Sequence, residues 1–161
     1  MDSKRQVAKE RTGWRDEKIS QRHREYGIAL PALDLDFVLV EYQYHNPVAL
    51  IEYKSFQARK VNPKSGAMRA VSALADNSNI PFFVVRYWAS CTAHPWFFQV
   101  FPINSTAFQV QPFASVMTEL QFVKLLYQLR GKTLPNDIAI NLGDILPADV
   151  ATRLQYSKND Y

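Results

Sequence analysis

The sequence has a single cysteine, Cys91, among 161 residues. No disulfide can form within the chain, and no cysteine-rich zinc site can be built. Apolar runs are short, and none approaches the roughly 20 residues that a membrane-spanning helix requires. The opening segment, MDSKRQVAKERTGWRDEK, has no apolar centre and does not read as a signal peptide. There are five glycines, with no glycine-rich phosphate loop and no Gly-x-Ser-x-Gly elbow, so a P-loop or serine-hydrolase reading is not favoured. The three histidines, His23, His45 and His94, lie in different segments without metal-ligand spacing. No repeat, low-complexity tract or Pro/Gly/Ser-rich linker divides the chain. These absences lead to the expectation of a soluble, cytoplasmic protein with one domain.

What is present suits a packed core: 47% of residues are apolar and 21% charged. The formal net charge of +4 is a mild lean towards polyanions such as nucleic acid. The charged segment DEKISQRHREYG reads as a helix stopped at Gly27. Two β-rich runs follow, Leu35 to Tyr42 and Val48 to Ser55, and their short QYHNP connection makes them an antiparallel pair. NPKSGAMRAVSALADN reads as a helix with Met68, Val71, Leu74 and Ala75 on one face. IPFFVVRYWA and HPWFFQVFPI read as strands covered on both faces. FQVQPF reads as an edge strand broken by Pro112, and SVMTELQFVKLLYQLRG as an amphipathic helix ended by Gly131. A short helix is expected near PADVATRLQ. The whole is an α/β fold with helices flanking a mixed central sheet.

The hairpin DLDFVLVEYQYHNPVALIEYKS places acids at the outer ends of two apolar strands. Alternation puts Asp34, Asp36, Val38 and Val40 on one face of the first strand. Leu50, Glu52 and Lys54 share a face of the second. Antiparallel pairing brings the start of the first strand beside the end of the second, so two carboxylates and an ammonium converge if Asp36 lies near Glu52. Two close carboxylates repel and one tends to take a proton. A hard divalent cation with oxygen ligands resolves the conflict, and a neighbouring lysine can orient water or stabilise charge on a phosphate. The plainer readings are a solvated strand start for the aspartates and a surface ion pair for Glu52 and Lys54, worth under about 1 kcal/mol.

An acid entering a hydrophobic strand, followed in the next strand by Glu-x-Lys (Glu52-Tyr53-Lys54 in LIEYKS), resembles the PD-(D/E)XK nuclease superfamily. In layout the small members, similar to archaeal Holliday-junction resolvases and VRR-NUC domains, come nearest. The resemblance spans roughly residues 15 to 90. It implies an αβββαβ, restriction-endonuclease-like core over about residues 15–131 of a single domain spanning 1–161, with 132–161 as an extension. It further implies that Asp36 and Glu52 bind Mg²⁺ or Mn²⁺ with the carbonyl of Tyr53, that Lys54 positions the attacking water, and that Glu25 is the first-helix glutamate many relatives use. The family's Pro-Asp pair is absent, since Pro31 lies three positions before Asp34, so Asp34 stands as the alternative ligand to Asp36.

The function so implied is a metal-dependent DNA endonuclease. In a chain this short, structure-selective cutting or a protein partner is expected rather than readout of a long sequence. The alternative is a non-catalytic nucleic-acid-binding or interaction module on the same scaffold. Arg22, His23, Arg24, Arg59, Lys60 and Lys64, a basic rim flanking the site, and the polar Gln57 are the candidate nucleic-acid contacts. Trp88, Trp96, Phe97 and Phe98 read as core, or as a surface for a homodimer that would supply two sites for symmetric cutting, rather than as a base-stacking platform.

Overall fold

The computed structural model describes Arg22, Glu25, Leu33 and residues 35–58, 62–88 and 96–144. The chain divides into two units, Met1–Asp34 and Leu35–Tyr161. In the first, Arg22 and Glu25 are helical. The second is an α/β unit built on one mixed sheet of five strands in the order β1-β2-β3-β4-β5. Strands β1 (Phe37–Glu41) and β2 (Asn46–Ser55) form the expected antiparallel hairpin. Its turn is Tyr42–His45, with His45 at φ 56°. Pro47 therefore lies inside β2, opposite Val40 and beside an irregularity in the ladder. It is tolerated because the ladder to β1 is already interrupted there and the pairing of β2 with β3 begins only at Leu50.

Helix α1 (Gly66–Asn77) crosses from β2 to β3 (Phe82–Trp88), which runs parallel to β2. Ser65 caps α1, its side chain accepting from the Met68 N–H at 3.3 Å. Strand β4 (Phe97–Pro102) returns antiparallel to β3. Beyond it the sequence expectation needs correction at two places. FQVQPF is not a strand: Phe108–Val110 end the short helix α2 (Ser105–Val110). Asn104 caps this helix through Ala107 N–H at 3.0 Å, and Pro112 falls after its end. The edge strand is instead β5 (Ser115–Thr118), antiparallel to β4. Helix α3 accordingly spans Glu119–Leu129 and not the whole SVMTELQFVKLLYQLRG run. Thr118 ends the strand and caps the helix in a reciprocal box with Gln121. The last described helix is α4 (Asn136–Ala139); the expected helix near PADVATRLQ lies outside the described residues. Two strands precede α1 among the described residues, where the αβββαβ order has three.

Alternation along the strands makes two cores, one on each side of the sheet. Leu50, Phe82, Val84 and Phe101 face α1, whose Val71 and Ala75 cover them. Ile51, Phe83, Val85, Phe98 and Val100 face α3, through Phe122 and Leu125. This is why IPFFVVRYWA is apolar at successive positions: both faces of β3 are covered.

One ion pair closes the far end of the hairpin. Glu41 is buried, its carboxylate accepting from the Gln43 N–H at 3.2 Å and from Arg130 Nη2 at 3.0 Å. The Gln43 N–H is the larger influence, and with Arg130 it outweighs burial, so the Glu41 carboxyl titrates below its ordinary 4.5. A depressed carboxylate contributes stability above its unfolded pKa, and that stability is lost as pH falls through the folded value. Glu41→Gln is expected to cost stability at pH 7, with the gap to wild type narrowing towards pH 3. Denaturant unfolding at the two pH values checks this.

Candidate functional site

Asp36 sits in the bend just before β1. The ladder pair Phe37–Ile51, continued one step, sets Asp36 opposite Glu52. Its Oδ2 accepts a hydrogen bond from the backbone N–H of Tyr53 at 3.1 Å. That N–H points towards β1 but lies beyond the strand's end, so the carboxylate supplies the acceptor that a further β1 residue would have provided. In strand geometry the Tyr53 carbonyl faces the same way. The aspartate, the backbone of Tyr53 and the Glu52 position therefore come together at one corner of the sheet.

Glu52 and Lys54 follow Leu50 on the α1 face of β2 and form an ion pair with each other. The glutamate side chain is 16% exposed and the lysine 37%. The bond to Glu52 raises the Lys54 pKa, burial partly opposes it, and the charges of Glu52 and Asp36 add to the rise. Lys54 is thus an ammonium at neutral pH and not a free base. A raised lysine contributes stability that is complete below its unfolded value of 10.5 and is lost as pH rises through the higher folded value. Titration of the Lys54 Nζ followed by NMR is expected to show a midpoint above 10.5 in wild type and a lower one in Glu52→Gln.

The carboxylates of Asp36 and Glu52 and the Tyr53 carbonyl are a hard-oxygen donor set of the kind Mg²⁺ or Mn²⁺ accepts. Each carboxylate has one oxygen outside the bonds just described, Oδ1 of Asp36 and Oε2 of Glu52. The residues fit a divalent ion to that extent. Among the described residues no cluster of three or more His, Cys, Asp or Glu side chains occurs, so a metal would draw most of its shell from water and substrate.

The other expected residues are spread more widely. Gln57 is exposed in the turn after β2, its N–H donating to Ser55 Oγ at 3.4 Å. Lys64 is exposed ahead of α1, its N–H donating to Asn62 Oδ1 at 3.0 Å. Glu25 and Arg22 are exposed and form an i,i+3 ion pair at 2.6 Å within the first unit. Asp34, His23, Arg24, Arg59 and Lys60 lie outside the described residues. Of the aromatic group, Phe97 and Phe98 are buried, Trp88 is half-buried, and Trp96 is 43% exposed.

Two residues that the motif did not single out continue the row. Arg86 stands in register with Lys54, and Gln99 in register with Arg86. Nη2 of Arg86 donates to the Phe56 carbonyl at 2.6 Å and to that of Ala58 at 3.5 Å, and its guanidinium lies 4.6 Å from the centre of the Phe56 ring. Arg86 thereby fastens the turn that follows Glu52-Tyr53-Lys54. Its Nε, and Oε1 of Gln99, are buried without a hydrogen-bond partner among the described residues. A lone charge inside FFVVRYW was the available sequence signal.

Among the described residues no helix is long and apolar enough to cross a membrane. No family model matches the chain, and no curated protein and no solved structure matches it either.

Proposed function

We propose that the chain is a metal-dependent nuclease that hydrolyses DNA phosphodiester bonds on a PD-(D/E)XK-like core, with Asp36, Glu52, the Tyr53 carbonyl and Lys54 as its site. The observation that carries this reading is the convergence of Asp36 on the backbone between Glu52 and Lys54. Asp36, ahead of one strand, accepts from the Tyr53 N–H of the next, between Glu52 and its ion-pair partner Lys54, which stays charged. The hairpin, α1 and the parallel β3 supply a supporting strand–strand–helix–strand order.

A divalent ion at the corner would lower the pKa of bound water and polarise the phosphoryl oxygen. Asp36 and Glu52 would hold such an ion through Oδ1 and Oε2, the oxygens outside the bonds described above. Lys54 acts through its positive charge, orienting water or stabilising the negative charge that grows on the phosphate as the P–O bond breaks. The products are one strand end bearing a phosphate monoester and one bearing a hydroxyl. The net charge of +4 favours approach of the polyanionic substrate. Arg22, His23, Arg24, Arg59, Lys60 and Lys64, with the polar Gln57, remain proposed contacts to that substrate, and Glu25 remains the proposed first-helix glutamate of the family pattern.

The test is nicking of supercoiled plasmid and of branched and single-stranded DNA with Mg²⁺ or Mn²⁺, against EDTA. Metal-dependent cutting is expected. No cutting of any substrate in the panel, together with retained DNA binding, would favour the non-catalytic module.

A further inference from the structure

We infer that the aromatic pocket on the α3 side of the sheet is a nucleobase site, which takes an unpaired base of the DNA strand whose backbone reaches Glu52. The inference rests on the phosphodiesterase reading above and adds the substrate class to it. The pocket has a volume of about 450 Å³. Its lining includes Phe37, Tyr53, Tyr87, Trp96, Phe122 and Glu119. Phe37 stands edge-on to Tyr53 with centroids 4.9 Å apart, and Tyr53 stands edge-on to Phe122 at 6.2 Å. Trp96 lies nearly parallel to Phe98 at 6.4 Å. Instead of closing over one another, two of these rings stay wet: Phe37 is 46% and Trp96 43% exposed. Flat apolar walls around an open cavity suit a flat ligand with two π-faces, and every base has them.

The single charge among the lining residues says where the base ends and the backbone begins. An ionised carboxylate only accepts hydrogen bonds, so Glu119 pairs with the exocyclic amino group of cytosine, adenine or guanine and repels a phosphate. Oε2 of Glu119 accepts from Gly143 N–H at 3.3 Å, and Oε1 lies outside that bond.

Position supplies the link to the metal corner. Tyr53 lies between Glu52 and Lys54 in sequence, and alternation sends its ring to the opposite face. The two faces meet where the edge strand β1 begins, at Asp36 and Phe37. A strand rounding that edge puts phosphate on the lysine side and a base on the aromatic side. A paired base cannot do this without leaving its duplex.

The experiment uses the full chain in EDTA, so that nothing is cut, and tetranucleotides of deoxycytidine, deoxyadenosine and thymidine. Binding is read by tryptophan fluorescence and calorimetry. Saturable binding is expected, about tenfold tighter for the amino-bearing bases than for thymidine, and a blunt duplex should leave the fluorescence unchanged. Trp96→Ala, with its fold checked by thermal unfolding, should weaken binding about tenfold. Glu119→Gln should erase the preference over thymidine. Equal binding by wild type and Trp96→Ala, or equal quenching by the duplex, overturns the pocket assignment even if the protein cuts DNA. Base binding of the expected pattern in a protein that cuts nothing upholds the pocket and overturns the nuclease reading.

Discussion

Glu52→Gln is expected to lower metal-stimulated DNA cleavage by at least about a hundredfold while leaving the fold intact. The substitution keeps the size of the side chain and removes the charge that both a divalent ion and Lys54 require. Loss of a well-placed electrostatic partner at a reacting centre typically costs two to three orders of magnitude. The stability change should be small, because the Glu52–Lys54 pair is partly open to water, with the lysine 37% exposed; such pairs contribute under about 1 kcal/mol. Single-turnover cleavage beside thermal unfolding separates the two effects. Lys54→Ala should lose activity in the same way, but for a different reason. Asp36 and Glu52 keep their oxygens, so metal binding survives while the positive charge beside the phosphate is gone. Equal cleavage by wild type and Glu52→Gln would place any chemistry elsewhere.

Asn104→Ala should have the largest effect on stability of any single polar change described. Asn104 is 3% exposed and links three segments. Its Oδ1 accepts from Phe82 N–H at 2.8 Å and from Ala107 N–H at 3.0 Å. Its Nδ2 donates to the Ile80 carbonyl at 2.9 Å and to Asp76 Oδ1 at 3.0 Å. One side chain therefore caps α2, starts β3 and ties down the end of α1. Alanine removes the cap, worth about 1 kcal/mol, and strands buried backbone groups at about 1–3 kcal/mol each. A net loss of roughly 3 kcal/mol is expected, which lowers the melting temperature by roughly 10 °C in a chain of this size. Asn104→Asp keeps the cap acceptor but loses the donor and sets a second carboxylate against Asp76, so it should not restore stability. Calorimetric melting of both variants decides the point. A loss under 1 kcal/mol for Asn104→Ala would mean the segment is held by packing alone.

The strands that make the core were legible because both their faces are covered: long apolar runs such as PFFVV have no exposed side to pattern. The hairpin was legible from Asn46 and Pro47, although the turn itself falls at Tyr42–His45 and both residues join β2. The region from Asn104 to Leu120 was misread because periodicity outweighed the caps. Val116 fits the helical spacing of Leu120 and Val123, but it lies in β5 and pairs with Gln99 of β4, and the box of Thr118 with Gln121 marks the true start of α3. Asn104 ahead of Ser105 gave the same kind of signal for α2.

At the candidate site, sequence order and alternation were enough to bring Asp36, Glu52 and Lys54 together. Two features were not legible. The carboxylate of Asp36 binds the Tyr53 N–H, which depends on where β1 stops. Arg86 and Gln99 reach the row only through the parallel crossover and the following antiparallel return, and no local pattern encodes that register.

The central claim is that Asp36 and Glu52 hold a divalent ion beside Lys54. Mn²⁺ binding measured by electron paramagnetic resonance, in the presence of single-stranded DNA whose linkages resist cleavage, tests it most directly. The expected result is one tightly bound Mn²⁺ in wild type and in Lys54→Ala, with at least about tenfold weaker binding in Asp36→Asn and in Glu52→Gln. Equal Mn²⁺ binding in all four proteins, or none in wild type, would contradict the account.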